Sequence, residues 1–183
     1  IMNNKILLSL ILTLFCCAAI NAQRPFITVW NPGTANPQSI TFPGYGSGDT
    51  IQWEEVGYPA HNGTINNMTV INEIAFGNAL NPNPAIATYA VKVSGGLDRF
   101  QAGGQYGKQL IEINQWGDIA WTTMRSAFDA ATQLQLTATD LPNLSGVTDM
   151  GYMFSECFFF SGNPTMNTWN TSNITNMESM FFD

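Results

Sequence analysis

Between Phe26 and Phe100 the chain alternates short apolar runs with turn residues. "FITVW" (26–30), "SITF" (39–42), "TIQW" (50–53), "MTVINEIAF" (68–76) and "ATYAVKVSG" (87–95) are rich in β-branched and aromatic residues, which suit a pleated, half-buried surface. The segments between them, "NPGTANP", "PGYGSG", "PAHNG" and "NPNPA", carry the Pro, Gly and Asn of turns. In "ATYAVKV", Tyr89, Val91 and Val93 alternate with Ala90, Lys92 and Ser94, so one face is buried and the other wet. Several such strands at short intervals predict a small β-sandwich.

After "QAGGQYGKQ" the period changes. Three stretches align: "QWGDIAWTTMRSAF" (115–128), "LPNLSGVTDMGYMF" (141–154) and "TWNTSNITNMESMF" (168–181). Trp121, Val147 and Ile174 correspond, as do Met124, Met150 and Met177, and Phe128, Phe154 and Phe181, at offsets of 26 and 27 residues. Within a unit the apolar residues stand at i, i+3, i+4 and i+7: Met124, Ala127, Phe128 and Ala131, then Met150, Met153, Phe154 and Cys157. Met177, Met180 and Phe181 begin a third set. This spacing predicts one face of a short helix per unit, and Thr175 with Glu178 has the spacing of a capping box. The segment before each helix reads as extended. The predicted fold class is therefore α+β, a sandwich-like module followed by a solenoid of extended segments and short helices. In such an array each unit buries its face against its neighbours, so Met177, Met180 and Phe181 are expected to need a fourth unit over them.

Composition adds material and limits. Of the 183 residues, 45% are hydrophobic and 12% aromatic, ample for a core, while only 10% are charged, well below the usual quarter or so. The net charge of -7 argues against nucleic acid or anionic lipid as partner, since both need clustered Lys and Arg. The opening "IMNNKILLSLILTLFCCAAINAQ" has a basic Lys5, an apolar run from Ile6 to Ile20 and a small-residue cleavage site. It predicts a secretory signal peptide over 1–22, with a β-sandwich-like module over 23–104 and repeats over 105–183. The apolar run is too short and too poorly flanked for an anchor, so no membrane span is expected in the mature chain. Its removal takes Cys16 and Cys17 and leaves Cys157, with five basic against 13 acidic residues, a net of -8. No internal disulfide can then form. Cys157 stands where Ala131 stands in the first unit, which predicts a small buried spacer.

The residues 168–181 resemble the repeat of the BspA-type leucine-rich-repeat surface proteins, also grouped as a domain of unknown function in mycoplasmas and Bacteroidetes. The second unit shares "VTDMGYMF" but carries Pro142 where the third has Trp169. The region 26–100 is similar to the small β-module that often precedes such repeats. There the second tryptophan strand usually reads W-G-D, whereas here Glu54 and Glu55 follow Trp53. The resemblance implies a secreted or surface-exposed, adhesion-like protein, and no enzymatic activity.

The candidate chemistry is sparse. Adjacent Glu54 and Glu55 are the one carboxylate pair, but neighbours on a strand point to opposite faces, whereas a retaining glycosidase needs two carboxyls about 5–5.5 Å apart across a sugar bond. His61, the sole histidine, stands in the predicted turn "PAHNG" with no second ligand nearby. "GYGSG" (44–48) lacks the helix start and Lys of a phosphate loop. No catalytic residue, cofactor or metal is expected. The leading expectation is a non-enzymatic secreted or cell-surface protein that binds protein or glycan ligands through its repeats. The alternative is a carbohydrate-binding accessory module, for which Trp30, Trp53 and Tyr58 would have to lie exposed on one face.

Overall fold

A computed structural model describes residues 23–35, 37–68, 72–104 and 106–182; the expected signal segment 1–22 lies outside them. The alternation in "FITVW" becomes strand β1 (Phe26–Trp30), with Phe26, Thr28 and Trp30 directed inward. The buried Thr28 hydroxyl accepts from the Trp30 indole N–H at 2.8 Å, so neither polar group is stranded in the core. β1 pairs antiparallel with β7 (Tyr89–Ser94) on one side and β9 (Leu110–Gln115) on the other. β7 pairs with β4 (Asp49–Glu55), and β4 with β5 (Tyr58–Met68). A two-residue β10 (Gln135–Leu136) adds in parallel to β9, giving the sheet order β10-β9-β1-β7-β4-β5.

Two small ladders accompany this sheet, β2 (Gln38–Phe42) with β6 (Asn72–Gly77), and β3 (Gly44–Tyr45) with β8 (Arg99–Phe100). Their aromatic side chains meet those of the large sheet. Phe76 stacks on Tyr89 with ring centroids 3.9 Å apart, and Trp30 contacts both Phe42 and Phe100. Two expectations need correcting here. "PAHNG" is part of β5, not a turn, and "MTVINEIAF" contributes Met68 to β5 and Asn72–Phe76 to β6, which pair with different strands. In addition, β9 lies beyond residue 104 yet pairs with β1. One buried cluster runs from Phe26 to Met180.

The larger correction concerns the repeats. No α-helix occurs among the described residues, so the α+β, leucine-rich-like assignment does not hold; the fold is mostly β. The Met/Phe spacing comes from consecutive four-residue turns. Ala127 N–H bonds to Met124 C=O at 3.1 Å, and Ala131 N–H to Phe128 C=O at 3.0 Å. Met153 and Cys157 close the same turns on Met150 and Phe154, and Met180 closes one on Met177. The third residue of each turn is left-handed: Ser126 (φ 51°), Ala130 (60°), Tyr152 (59°), Glu156 (54°) and Ser179 (51°). That is the position where a type II turn requires positive φ, and it is incompatible with a right-handed helix. Two such turns place i, i+3, i+4 and i+7 on one side, as a helix does. Thr175 and Glu178 form no capping box either. Glu178 N–H bonds to Asn176 Oδ1 and the Thr175 hydroxyl donates to Thr148 C=O.

Freed from helical bonding, the backbone N–H groups point sideways. Met124, Ser126, Phe128 and Ala130 donate to the carbonyls of Asp149, Gly151, Met153 and Ser155 in the next coil, at 2.9–3.0 Å. The repeats are thus coils stacked in parallel, and the first rides on the sheet through β10. Exposed Glu156 tests this geometry. A non-glycine residue at positive φ costs about 1–2 kcal/mol, whereas glycine in a helix interior costs about 1 kcal/mol. Glu156→Gly is therefore expected to raise stability by roughly 0.5–1 kcal/mol in urea unfolding, after the entropic cost of glycine. A loss of similar size would mean a helix.

Candidate functional site

Two concentrations of polar chemistry stand out. The first is inside the sandwich. In β4, Glu54 faces outward and pairs with Lys92 at 3.3 Å, whereas Glu55 faces inward and is buried. Across the hairpin, Asn62 pairs with Glu54 but Tyr58 pairs with Glu55, so the intervening residues bulge and His61 turns inward. Glu55 Oε2 accepts from His61 Nδ1 at 2.5 Å and from Leu80 N–H at 2.8 Å, and Oε1 accepts from Asn81 N–H at 2.8 Å. His61 Nε2 lies 2.8 Å from the Phe76 carbonyl oxygen. Each ring nitrogen thus faces an acceptor. Burial pushes the Glu55 carboxyl up, but the bonds from His61, Leu80 and Asn81 outweigh it and hold it below the usual carboxylate range. The Tyr89 hydroxyl, buried and near the Glu55 charge, is pushed up to about 12 and donates to Gln38 Oε1 at 2.6 Å. This network ties β4 and β5 to β6 and the 80–81 loop. With one carboxylate buried and the other turned away, Glu54 and Glu55 cannot work on one bond.

The second concentration lies on the outside of the coils, where side chains of successive units stand in rows. Thr123, Asp149 and Asn176 occupy one row, and each accepts from the N–H two residues on, at 3.1, 2.8 and 2.9 Å. Such turns fix the chain just before each Met. Asn176 Nδ2 also donates to Asp149 Oδ1 at 2.9 Å. Beside them Thr122, Thr148 and Thr175 are all exposed. Arg125, Tyr152 and Glu178 also touch one another across the coils, although Tyr152 stands one position on from the equivalents of the other two. The Arg125 guanidinium lies 5.1 Å from the Tyr152 ring centroid, and the Tyr152 hydroxyl donates to Glu178 Oε1 at 3.2 Å. Sequence reading missed these features: the Thr123, Asp149 and Asn176 row and the threonine row are marked by the 26- and 27-residue offsets, whereas the Arg125, Tyr152 and Glu178 contacts cross that register.

The residues expected in the repeat core divide by coil. Trp121, Met124, Phe128, Val147, Met150, Met153, Phe154, Cys157 and Met180 are buried, and Ile174 is partly so. Met177 and Phe181 are exposed by 47% and 60%. The Cys157 thiol donates to the Phe128 carbonyl at 3.0 Å. In the sandwich, Trp30 is buried and Trp53 only 8% exposed, so neither offers a flat face to a sugar ring, and Tyr58 is partly buried. Among the described residues no group of three or more His, Cys, Asp or Glu could hold a metal ion, and no helix is long and apolar enough to cross a membrane.

Neither a curated protein nor a solved structure matches the chain. Residues 108–183, the segment that carries β9 and the stacked coils, match the model of the family described as Mycoplasma protein of unknown function, DUF285.

Proposed function

We propose that this is a non-enzymatic secreted or cell-surface protein that binds a protein or glycan partner along the outer rows of its stacked coils. The observation that carries the reading is the alignment of exposed Thr122, Thr148 and Thr175 beside the contacting side chains of Arg125, Tyr152 and Glu178. Parallel coils set such rows about 4.8 Å apart, a regular, weakly charged surface suited to an extended ligand. Repeat stacks commonly present binding surfaces of this kind. The signal-like leader and the resemblance of the third unit to BspA-type surface proteins support the location. The buried tryptophans of the sandwich speak against the alternative of a sugar-stacking module.

The test is a glycan array together with an extracellular-matrix binding screen of the full chain. A partner found there is expected to bind at least about tenfold more weakly to Tyr152→Ala, the loss of roughly 1.4 kcal/mol typical of a central aromatic anchor, with the β spectrum unchanged. Empty screens, or a partner indifferent to Tyr152 and to Thr148→Ala, would sink the reading.

A further inference from the structure

The face of the large sheet turned away from the core has two unlike halves. Over β4 and β5 it is polar, with Gln52, Asn62, Thr64 and Asn66 exposed. Over β1 and β9 it is aliphatic. Ile27 and Val29 alternate outward from the buried Phe26, Thr28 and Trp30, and the bulge between Val29 and Trp30 adds Ile111 beside them. Between the halves β7 presents Ala90 and Lys92. These residues, with Glu54, Val56 and Glu112 at the rim, line an open groove of about 380 Å³, and Val56 is 49% exposed.

Strand register sets the side chains in two rows across the groove. One runs Glu112, Val29, Ala90, Glu54, and the next runs Ile27, Lys92, Gln52. The small Ala90 leaves a gap between Val29 and Glu54, while the long Lys92 stands in the other row of the same strand. Lys92 Nζ lies 3.3 Å from Glu54. The gap of one row therefore matches the projection of the other.

We infer that this face is the interface of a symmetric dimer, covered by a second copy of the chain. A two-fold axis that crosses the strands midway between the rows exchanges them. Ile27 and Val29 of one copy then lie on Val29 and Ile27 of the other, and each Lys92 enters the gap over the other copy's Ala90. There it stands one strand spacing, about 4.8 Å, from that copy's Glu54. The two lysines and two glutamates form a cluster of alternating charge. An isologous contact needs a surface complementary to itself in this way, and aligned sheets commonly bury their aliphatic faces against each other. Other occupants fit less well. None of the described residues that line the groove is aromatic, so a sugar ring finds nothing to stack on, and the charges at the rim are of both signs, with Glu54 and Lys92 already paired. Pairing also sets two stacks of coils in one particle, so a repetitive ligand of the kind proposed above meets two sets of rows at once. The dimer itself does not depend on that ligand.

Four strands span only about 19 Å, a small interface among specific ones, so dissociation is expected in the micromolar range. Sedimentation equilibrium of the full chain at about 0.15 M salt tests it, since charges more than about 8 Å apart are then largely screened and the net charge of -7 on each chain opposes pairing less. A monomer–dimer equilibrium without larger species is expected, because a two-fold contact closes. Glu54→Lys and Lys92→Glu each place four like charges in the cluster and are expected to weaken the dimer at least about tenfold, while the double variant restores the alternation and returns the affinity to within about threefold. Val29→Asn should weaken it at least about tenfold as well. Both charged side chains are partly exposed, at 43% and 34%, so the β spectrum of every variant should stay unchanged. A chain that is monomeric throughout, a dimer indifferent to the single reversals or a double variant as weak as the singles would overturn the inference. So would open-ended association, which would assign the contact to other exposed groups such as Phe181 and Phe182.

Discussion

His61→Ala is expected to cost about 3 kcal/mol at neutral pH, because it leaves the buried Glu55 carboxylate short of a hydrogen-bond donor and empties the space the ring filled. That is a large part of the 5–15 kcal/mol that holds an ordinary domain. The variant keeps Glu55 buried with only the N–H groups of Leu80 and Asn81 for partners, and it opens the contact between the histidine edge and Trp53, whose centroids lie 5.2 Å apart. The pH dependence has a definite sign. In the folded protein the Glu55 carboxyl titrates below its ordinary value, so it stabilises the fold above an unfolded pKa of about 4.3 and loses that contribution as pH falls through the depressed folded value. In His61→Ala the largest remaining influence on Glu55 is burial, which favours the neutral acid. The stability gap between the two proteins should therefore be widest near pH 7 and narrow below about pH 4. Urea unfolding at a series of pH values measures it. A gap below about 1 kcal/mol at neutral pH, or one that widens on acidification, would show that the pair does not hold the sandwich.

The strands with clean alternation were legible in the sequence. β1 and β7 read directly from "FITVW" and "ATYAVKV" because a two-residue period with aromatic and β-branched members admits little else. β5 was not, because "YPAHNGTINNM" has no apolar alternation; as an edge strand it takes its register from β4. Gly63 within it was a missed signal. A Cβ there would fall 2.7 Å from the Trp53 indole, the close approach that a glycine inside a strand often marks. The repeat and its apolar side were visible at 26- and 27-residue offsets, but its secondary structure was not. Over eight residues, two turns of period four and a helix of period 3.6 place the same positions together. The discriminating signal was Thr123, Asp149 and Asn176, one residue before each Met. Side chains of this kind bond their own backbone two residues on and start turns. Of the candidate sites, neither the Glu55–His61 contact nor the outer rows could be read, since the first depends on a bulge and the second on stacking.

Phe154→Ala is the second large effect, at about 3–5 kcal/mol for a buried phenylalanine. Phe154 is the middle of the ring stack, parallel to Phe128, to Phe160 at 4.2 Å and to Phe181. Its loss leaves coil 1 anchored, because Phe128 still packs on Phe100 at 5.5 Å and on Trp116 at 5.8 Å. Coil 3, by contrast, is held chiefly through coil 2, as nearest-neighbour stacking requires. The damage should be directional. Amide protection is expected to fall first at Met150, Tyr152 and Glu156, whose N–H groups bond to coil 3, while β1 and β7 keep theirs. Phe181→Ala, at an exposed ring, should change stability by less than about 1 kcal/mol. If Phe154→Ala instead lowers protection evenly from β1 to coil 3, the coils and the sandwich unfold as one cooperative unit, and the stack has no independent rungs.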